Sequence, residues 1–162
     1  MSKIFYGLFV FHLMLMACSS KKEETAEISM NQVNEYPNII LTFENGGTLP
    51  ARELKGNNVF VLFQPDCDHC QEEAIQFEQR LKEFNEYTLY FISSSPMENI
   101  MTFARNFNLD AKEKVKFAWT STEGVLNHYG SIQTPSVYIY SSGKLKKVFN
   151  GQTEIENILA AL

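Results

Sequence analysis

Five consecutive apolar residues, Val59-Phe60-Val61-Leu62-Phe63, constrain this chain more than any other feature. The run is too short for a core helix. It is β-branched and aromatic, and Gln64-Pro65-Asp66 stops it. Such a run predicts a strand buried on both faces, which a sheet with helices above and below provides. The following residues supply one of those helices. Ala74, Phe77, Leu81 and Phe84 lie three, four and three positions apart and make one apolar stripe.

The same reading extends along the chain. Residues 39–43 predict a strand, Glu44-Asn45-Gly46-Gly47 a turn, and residues 48–50 the returning arm of a hairpin. Residues 51–55 predict one helical turn stopped by Gly56. Strands are expected at 88–92, 115–119, 136–140 and 145–149, the last two joined by a turn at 141–144. Ser95-Pro96-Met97-Glu98 predicts a helix start with Ser95 as the cap, running to about Phe107. A short helix at 123–129 ends at Gly130. Thr153 to Glu156 has the spacing of a capping box for a last helix whose apolar face is Ile155, Ile158, Leu159 and Leu162. The expected fold class is α/β, a mixed sheet flanked by helices with an N-terminal β-hairpin.

The first residues are a different object. Lys3 precedes residues 4–16, which are apolar apart from Gly7 and His12. That stretch is shorter than the ~20 residues a membrane span needs and fits the apolar region of a secretory leader. Leu15-Met16-Ala17-Cys18 resembles a bacterial lipobox, which implies that Cys18 is acylated and becomes the new N-terminus. The expected organisation is therefore a leader at 1–17, a lipidated Cys18 with a polar tether at 18–36, and a folded domain at 37–162. The implied localisation is lipid-anchored to a membrane, periplasmic or on the outer-membrane surface. The Ser, Lys and Glu run after Cys18 is compatible with either a surface-export signal or a solvated linker. The net charge of −5, with no basic cluster after residue 22, disfavours nucleic acid as a partner.

Cys67-Asp68-His69-Cys70 carries the chemistry. Two intervening residues at a strand-to-helix junction put both sulfurs at the first helical turn. Unpaired N–H groups and the helix dipole there favour an anion, so the more exposed sulfur is available as a thiolate. The other is close enough to attack a mixed disulfide, the minimum needed for thiol–disulfide exchange. Three alternatives stay open: a structural disulfide, a zinc site, and a motif kept without activity. A loop this short gains little from cross-linking. Zinc needs about four ligands, and the domain's histidines are His69 and His128.

These residues resemble the TlpA/ResA-like branch of the thioredoxin superfamily. The resemblance rests on Asn45-Gly46-Gly47, Glu53-Leu54-Lys55-Gly56, the apolar strand into the C-x-x-C motif, Tyr129-Gly130, Thr134-Pro135 and Ser142-Gly143-Lys144. It covers residues ~38 to 162 and implies a thioredoxin-like fold. It further implies Cys67 as nucleophile, Cys70 as resolving cysteine, and a cis peptide bond before Pro135. The backbone of Thr134 would pair with a substrate strand. Glu73 would tune the thiols and relay protons, although a solvated helix Glu beside Glu72 is the plainer reading. Asp66 stands where many members have an aromatic residue, and Val61 where thioredoxin has a buried Asp. Asp68 and His69 are the motif residues expected to tune the pair, in opposite senses.

The leading expectation is an enzyme that reduces disulfides of exported proteins with no cofactor beyond the Cys67–Cys70 disulfide and no metal. Its partners would be protein or peptide disulfides and a membrane thiol protein that donates electrons. A disulfide-inserting oxidase is one alternative. A redox-inactive, lipid-anchored binding module on the same scaffold is another. A peroxidase is disfavoured, because the two cysteines are close rather than one standing alone in a Thr-rich loop.

Overall fold

The computed structural model describes residues 35–162. The expected leader, Cys18 and the expected tether up to residue 34 lie outside them. Seven strands form one mixed sheet: β1 Ile40–Thr42, β2 Thr48–Pro50, β3 Asn57–Leu62, β4 Tyr87–Ser93, β5 Val115–Trp119, β6 Ser136–Ser141 and β7 Lys144–Asn150, in the order β2-β1-β5-β4-β3-β6-β7. The middle of the sheet, β5-β4-β3, is parallel, and β1, β6 and β7 join it through antiparallel pairs. Four helices cover it: α1 Asp68–Gln79, α2 Met97–Asn106, α3 Thr122–Tyr129 and α4 Ile155–Leu159.

The apolar run divides between two cores, as side chains on a strand must alternate. Val59, Val61 and Phe63 face α1, α2 and α4, where Phe77, Phe103 and Ile158 meet them. Phe60 and Leu62 face the other side, against Leu41, Val125 and Tyr140. All five residues of the run are at most 2% exposed. Burying each such side chain stabilises the fold by roughly 1.5–3 kcal/mol, so β3 is firmly held on both faces. Five residues separate its end from α1.

Tyr36, placed in the tether by the sequence reading, is 1% exposed and packs on Phe60 and Tyr140. The N–H of Glu35 donates to the carbonyl of Gly143 at 2.8 Å. The folded part therefore takes in Glu35 and Tyr36. β6 runs antiparallel to β3, so its Ser141 end lies beside Asn57 and its Ser136 end beside Leu62. Glu35 and Gly143 thus sit at the pole of the sheet opposite the start of α1.

Three local expectations give way to long-range contacts. The stripe from Ala74 to Phe84 is not one helix. α1 stops at Gln79, and Leu81 and Phe84 belong to a separate 3-10 turn, Leu81–Phe84. Arg80 marks the break, its guanidinium bonded to Glu83 at 2.8 Å and to Glu156 at 2.6 Å. Ser95 does not cap α2, because its hydroxyl donates to Gln64 Oε1 at 2.6 Å and Pro96 takes the cap position. Thr153 makes no capping box either. α4 begins after Glu154, and its first N–H, that of Ile155, is satisfied from α1, as described below.

Candidate active site

Cys67 is the N-cap of α1. Its Sγ accepts the N–H of Cys70 at 3.3 Å, the bond a Ser or Asp cap would accept. The sulfur thus already lies where the helix terminus stabilises negative charge. Gln64 sets this position: its carbonyl accepts the N–H of Cys67 at 3.2 Å. The end of β3 thereby holds the motif in place. Cys67 is half-buried, whereas Cys70 is 2% exposed, and both are free thiols. Burial pushes the Cys70 thiol up to about 12, with the hydrogen bond and charge of Cys67 adding to the rise; contacts to Gln64 and Thr134 oppose it. A thiol so held is a poor first nucleophile at neutral pH. It is well placed to act second, on a disulfide formed at Cys67.

Thr134 and Pro135 come to the same place. Their peptide bond is cis, and the Cys67 thiol donates to the Thr134 carbonyl at 3.6 Å. The carbonyl of Pro135 accepts the N–H of Gly151 at 3.0 Å. Gly151 has φ +90, a conformation that a side chain would strain, and a Cβ there would meet Gln133 Oε1 at 3.0 Å.

Glu73 is 1% exposed, which sets aside the solvated-helix reading. Its Oε1 accepts the N–H of Thr153 at 3.2 Å, while its Oε2 is buried with no hydrogen-bond partner. Burial raises its carboxyl to about 7, and the Thr153 N–H only partly offsets this. One turn on, Gln76 Oε1 accepts the N–H of Ile155 at 2.9 Å, and Glu72 accepts from Gln152 Nε2 at 2.7 Å. Side chains of α1 therefore hold the start of α4 across the sequence. A loop of contacts closes around the sulfurs, from Cys67 through Thr134, Pro135, Gly151 and Thr153 back to Glu73.

His69 points outward. Its side chain is 68% exposed, with Nδ1 3.8 Å from Glu72 Oε2. Asp66 ahead of Cys67 and Asp68 behind it are both exposed. Among the described residues, no group of three or more His, Cys, Asp or Glu side chains could hold a metal ion. Two contributors were absent from the sequence expectations. Gln64 read only as a strand breaker, and Gly151 carried no expectation, because nothing local signals its contact with Pro135.

The comparisons with known proteins agree with this fold. A secreted disulfide oxidoreductase of Mycobacterium tuberculosis, homologous to Escherichia coli DsbE, superposes with a TM-score of 0.64 at 18% identity, covering 77% of this chain and 96% of that one. StoA from Bacillus subtilis gives 0.56 at 14% identity, over 77% and 96%. A cysteine-to-serine mutant of Xanthomonas campestris peroxiredoxin Q gives 0.61 at 15%, over 80% and 95%. At these identities the likeness is one of fold. No curated protein matches the sequence. The AhpC/TSA family model matches residues 33–148, most of the described domain. With its seven-stranded mixed sheet, helices on both faces and a C-x-x-C pair capping the first helix, the chain has a thioredoxin-like fold and belongs to the AhpC/TSA family.

Proposed function

We propose that this protein is an extracytoplasmic thiol–disulfide oxidoreductase, anchored through a lipid on Cys18, that reduces disulfides of exported proteins. The observation that carries the chemistry is the asymmetry of the pair: Cys67 half-buried at a helix N-terminus, Cys70 buried behind it with its thiol at about 12. The Cys67 thiolate attacks one sulfur of the substrate disulfide and forms a mixed disulfide; the other substrate sulfur leaves and takes a proton. Cys70 then loses its proton and attacks Cys67 Sγ, releasing the second substrate thiol. The substrate gains two electrons, and Cys67–Cys70 becomes a disulfide. A membrane thiol protein returns the electrons by the same exchange in reverse. Thr134 presents its backbone to the substrate strand. Glu73, one turn from Cys70 and titrating near neutrality, receives and returns the Cys70 proton.

Redox titration of the purified chain in glutathione buffers, with insulin reduction alongside, tests this. The expected potential lies between thioredoxin's ~−270 mV and DsbA's ~−120 mV, with insulin reduced when a dithiol is supplied. A potential near the upper end would favour the disulfide-inserting reading. A pair that exchanges with nothing would leave the binding module.

A further inference from the structure

β7 ends beside the Thr134-Pro135 loop. Its last residue, Asn150, stands directly opposite Ser136, the first residue of β6. Asn150 is exposed as a whole, but its side-chain oxygen is turned to the loop. Oδ1 accepts the N–H of Gln133 at 3.4 Å and the hydroxyl of Ser136 at 2.8 Å. Only the oxygen of an amide can accept from a backbone N–H, so the Gln133 contact fixes which end of the side chain faces inward. Ser136 is fully buried, and its Oγ also reaches the Gln133 carbonyl. The next residue, Gly151, donates its N–H to the Pro135 carbonyl at 3.0 Å. The end of β7 therefore grips residues 133, 135 and 136, on either side of Thr134. Gln133 precedes β6, so its N–H is held by this side chain rather than by the strand ladder.

Thr134, the residue so held, meets both sulfurs. Its carbonyl accepts the Cys67 thiol at 3.6 Å, and its contact with Cys70 opposes the rise that burial imposes on that thiol. The two sulfurs depend on it unequally. Cys67 has a further source of control in the N-terminus of α1, where the Cys70 N–H donates to it at 3.3 Å. Cys70 is buried, so each contact that helps it lose its proton weighs more. We infer that Asn150 is a positioning residue, which keeps Thr134 against the cysteine pair and thereby speeds the attack of Cys70 on the mixed disulfide at Cys67. The inference rests on the oxidoreductase reading and adds a residue to its second step.

The test uses the full chain carrying Cys18→Ser, so that Cys67 and Cys70 are its remaining cysteines. The reduced protein is mixed in stopped flow with one equivalent of the aromatic disulfide dithiobis(nitrobenzoate). Cys67 attacks one sulfur of the reagent and expels the first coloured thiolate. Cys70 then loses its proton and attacks Cys67 Sγ, expelling the second. The reagent gains two electrons, and the pair ends as a disulfide. Asn150→Leu, which removes both acceptor contacts, should slow the second release at least about tenfold and the first by less than about threefold; a misplacement of ~1 Å can cost ~100-fold. Asn150→Asp keeps an acceptor oxygen for both donors and should restore the second release to within about threefold. Ser136→Ala removes one contact and should slow the same step; added to Asn150→Leu it should cost less than about twofold more, because both act through one network. Three results each overturn the assignment and leave the oxidoreductase reading standing: a second release slowed less than about threefold by Asn150→Leu, both releases slowed alike, or Asn150→Asp as slow as Asn150→Leu. Where Asn150→Leu does not fold, Ser136→Ala carries the comparison, and an unchanged second release in it overturns the assignment as well. A chain that releases neither thiolate sinks the oxidoreductase reading, and the inference with it.

Discussion

Glu73 accepts a hydrogen bond from the backbone N–H of Thr153 at 3.2 Å, a contact that spans 80 positions of sequence. The helix carrying the cysteines is thereby fastened to the loop that supports Pro135. Substitution of Glu73 should therefore be felt in both stability and thiol reactivity. Its carboxyl sits near 7 in the folded protein, against an ordinary 4.5. Between those values the folded state keeps a proton that the unfolded state has lost. Stability therefore falls as pH rises from about 4.5 to 7 and then levels off. The whole effect is on the order of 3 kcal/mol. Glu73→Gln keeps an acceptor for Thr153 and removes the titration. Urea unfolding should find this variant about as stable as wild type at pH 4.5, and more stable at pH 8 by up to roughly 3 kcal/mol. The pH profile of thiol alkylation should shift as well. Equal stability differences at both pH values would show that the carboxyl does not titrate in this range.

The two cysteines should behave unequally toward any electrophile. With Cys70 buried and its thiol at about 12, iodoacetamide at pH 8 should label Cys67 at least about a hundredfold faster. Cys70→Ala should accumulate a mixed disulfide with substrate, visible on non-reducing gels, and Cys67→Ala should not. Equal trapping by the two variants would mean that the roles are assigned wrongly.

His69 lies on the solvent side beside Glu72, and its influence on the pair is screened accordingly. His69→Pro should still lower the potential, because a partner that favours the Cys67 thiolate is lost, but by less than about 30 mV. A potential equal to or above wild type would remove His69 from the tuning residues.

Cys18 follows Leu15-Met16-Ala17. Cys18→Ser should abolish metabolic labelling with a radioactive fatty acid and leave the leader uncleaved. Labelling that persists in the variant would place the lipid elsewhere or remove it from the account.

Much of this molecule is legible residue by residue. The apolar run at 59–63 demanded a doubly covered strand, and β3 is one. Residues 115–119 form β5 with the expected bounds, and Ser142-Gly143 makes the β6–β7 turn at positive φ. The C-x-x-C pair lies at a helix start because a strand, a proline and an amphipathic stripe follow one another in that order. Periodicity misses whatever depends on a partner far along the chain. Glu72-Glu73 reads locally as a solvated pair, yet Glu73 is buried because the loop before α4 folds onto it. Ser95 and Thr153 carry cap chemistry, but Gln64 takes the hydroxyl of one and Glu73 the N–H of the other.

The backbone contact between Glu35 and Gly143 has a consequence for approach. Six residues of β3 separate that pole from the sulfurs, about 20 Å at the rise of a strand. Whatever holds the N-terminal side of this chain grips the domain by its heel, with the reactive sulfur at the toe. Cys67 is carried outward by the length of the sheet. Under the proposed lipid anchor, proteins diffusing in the bulk compartment would meet it head-on, whereas a redox partner embedded in the same membrane would have to extend a domain of its own past that length or catch the molecule leaning over.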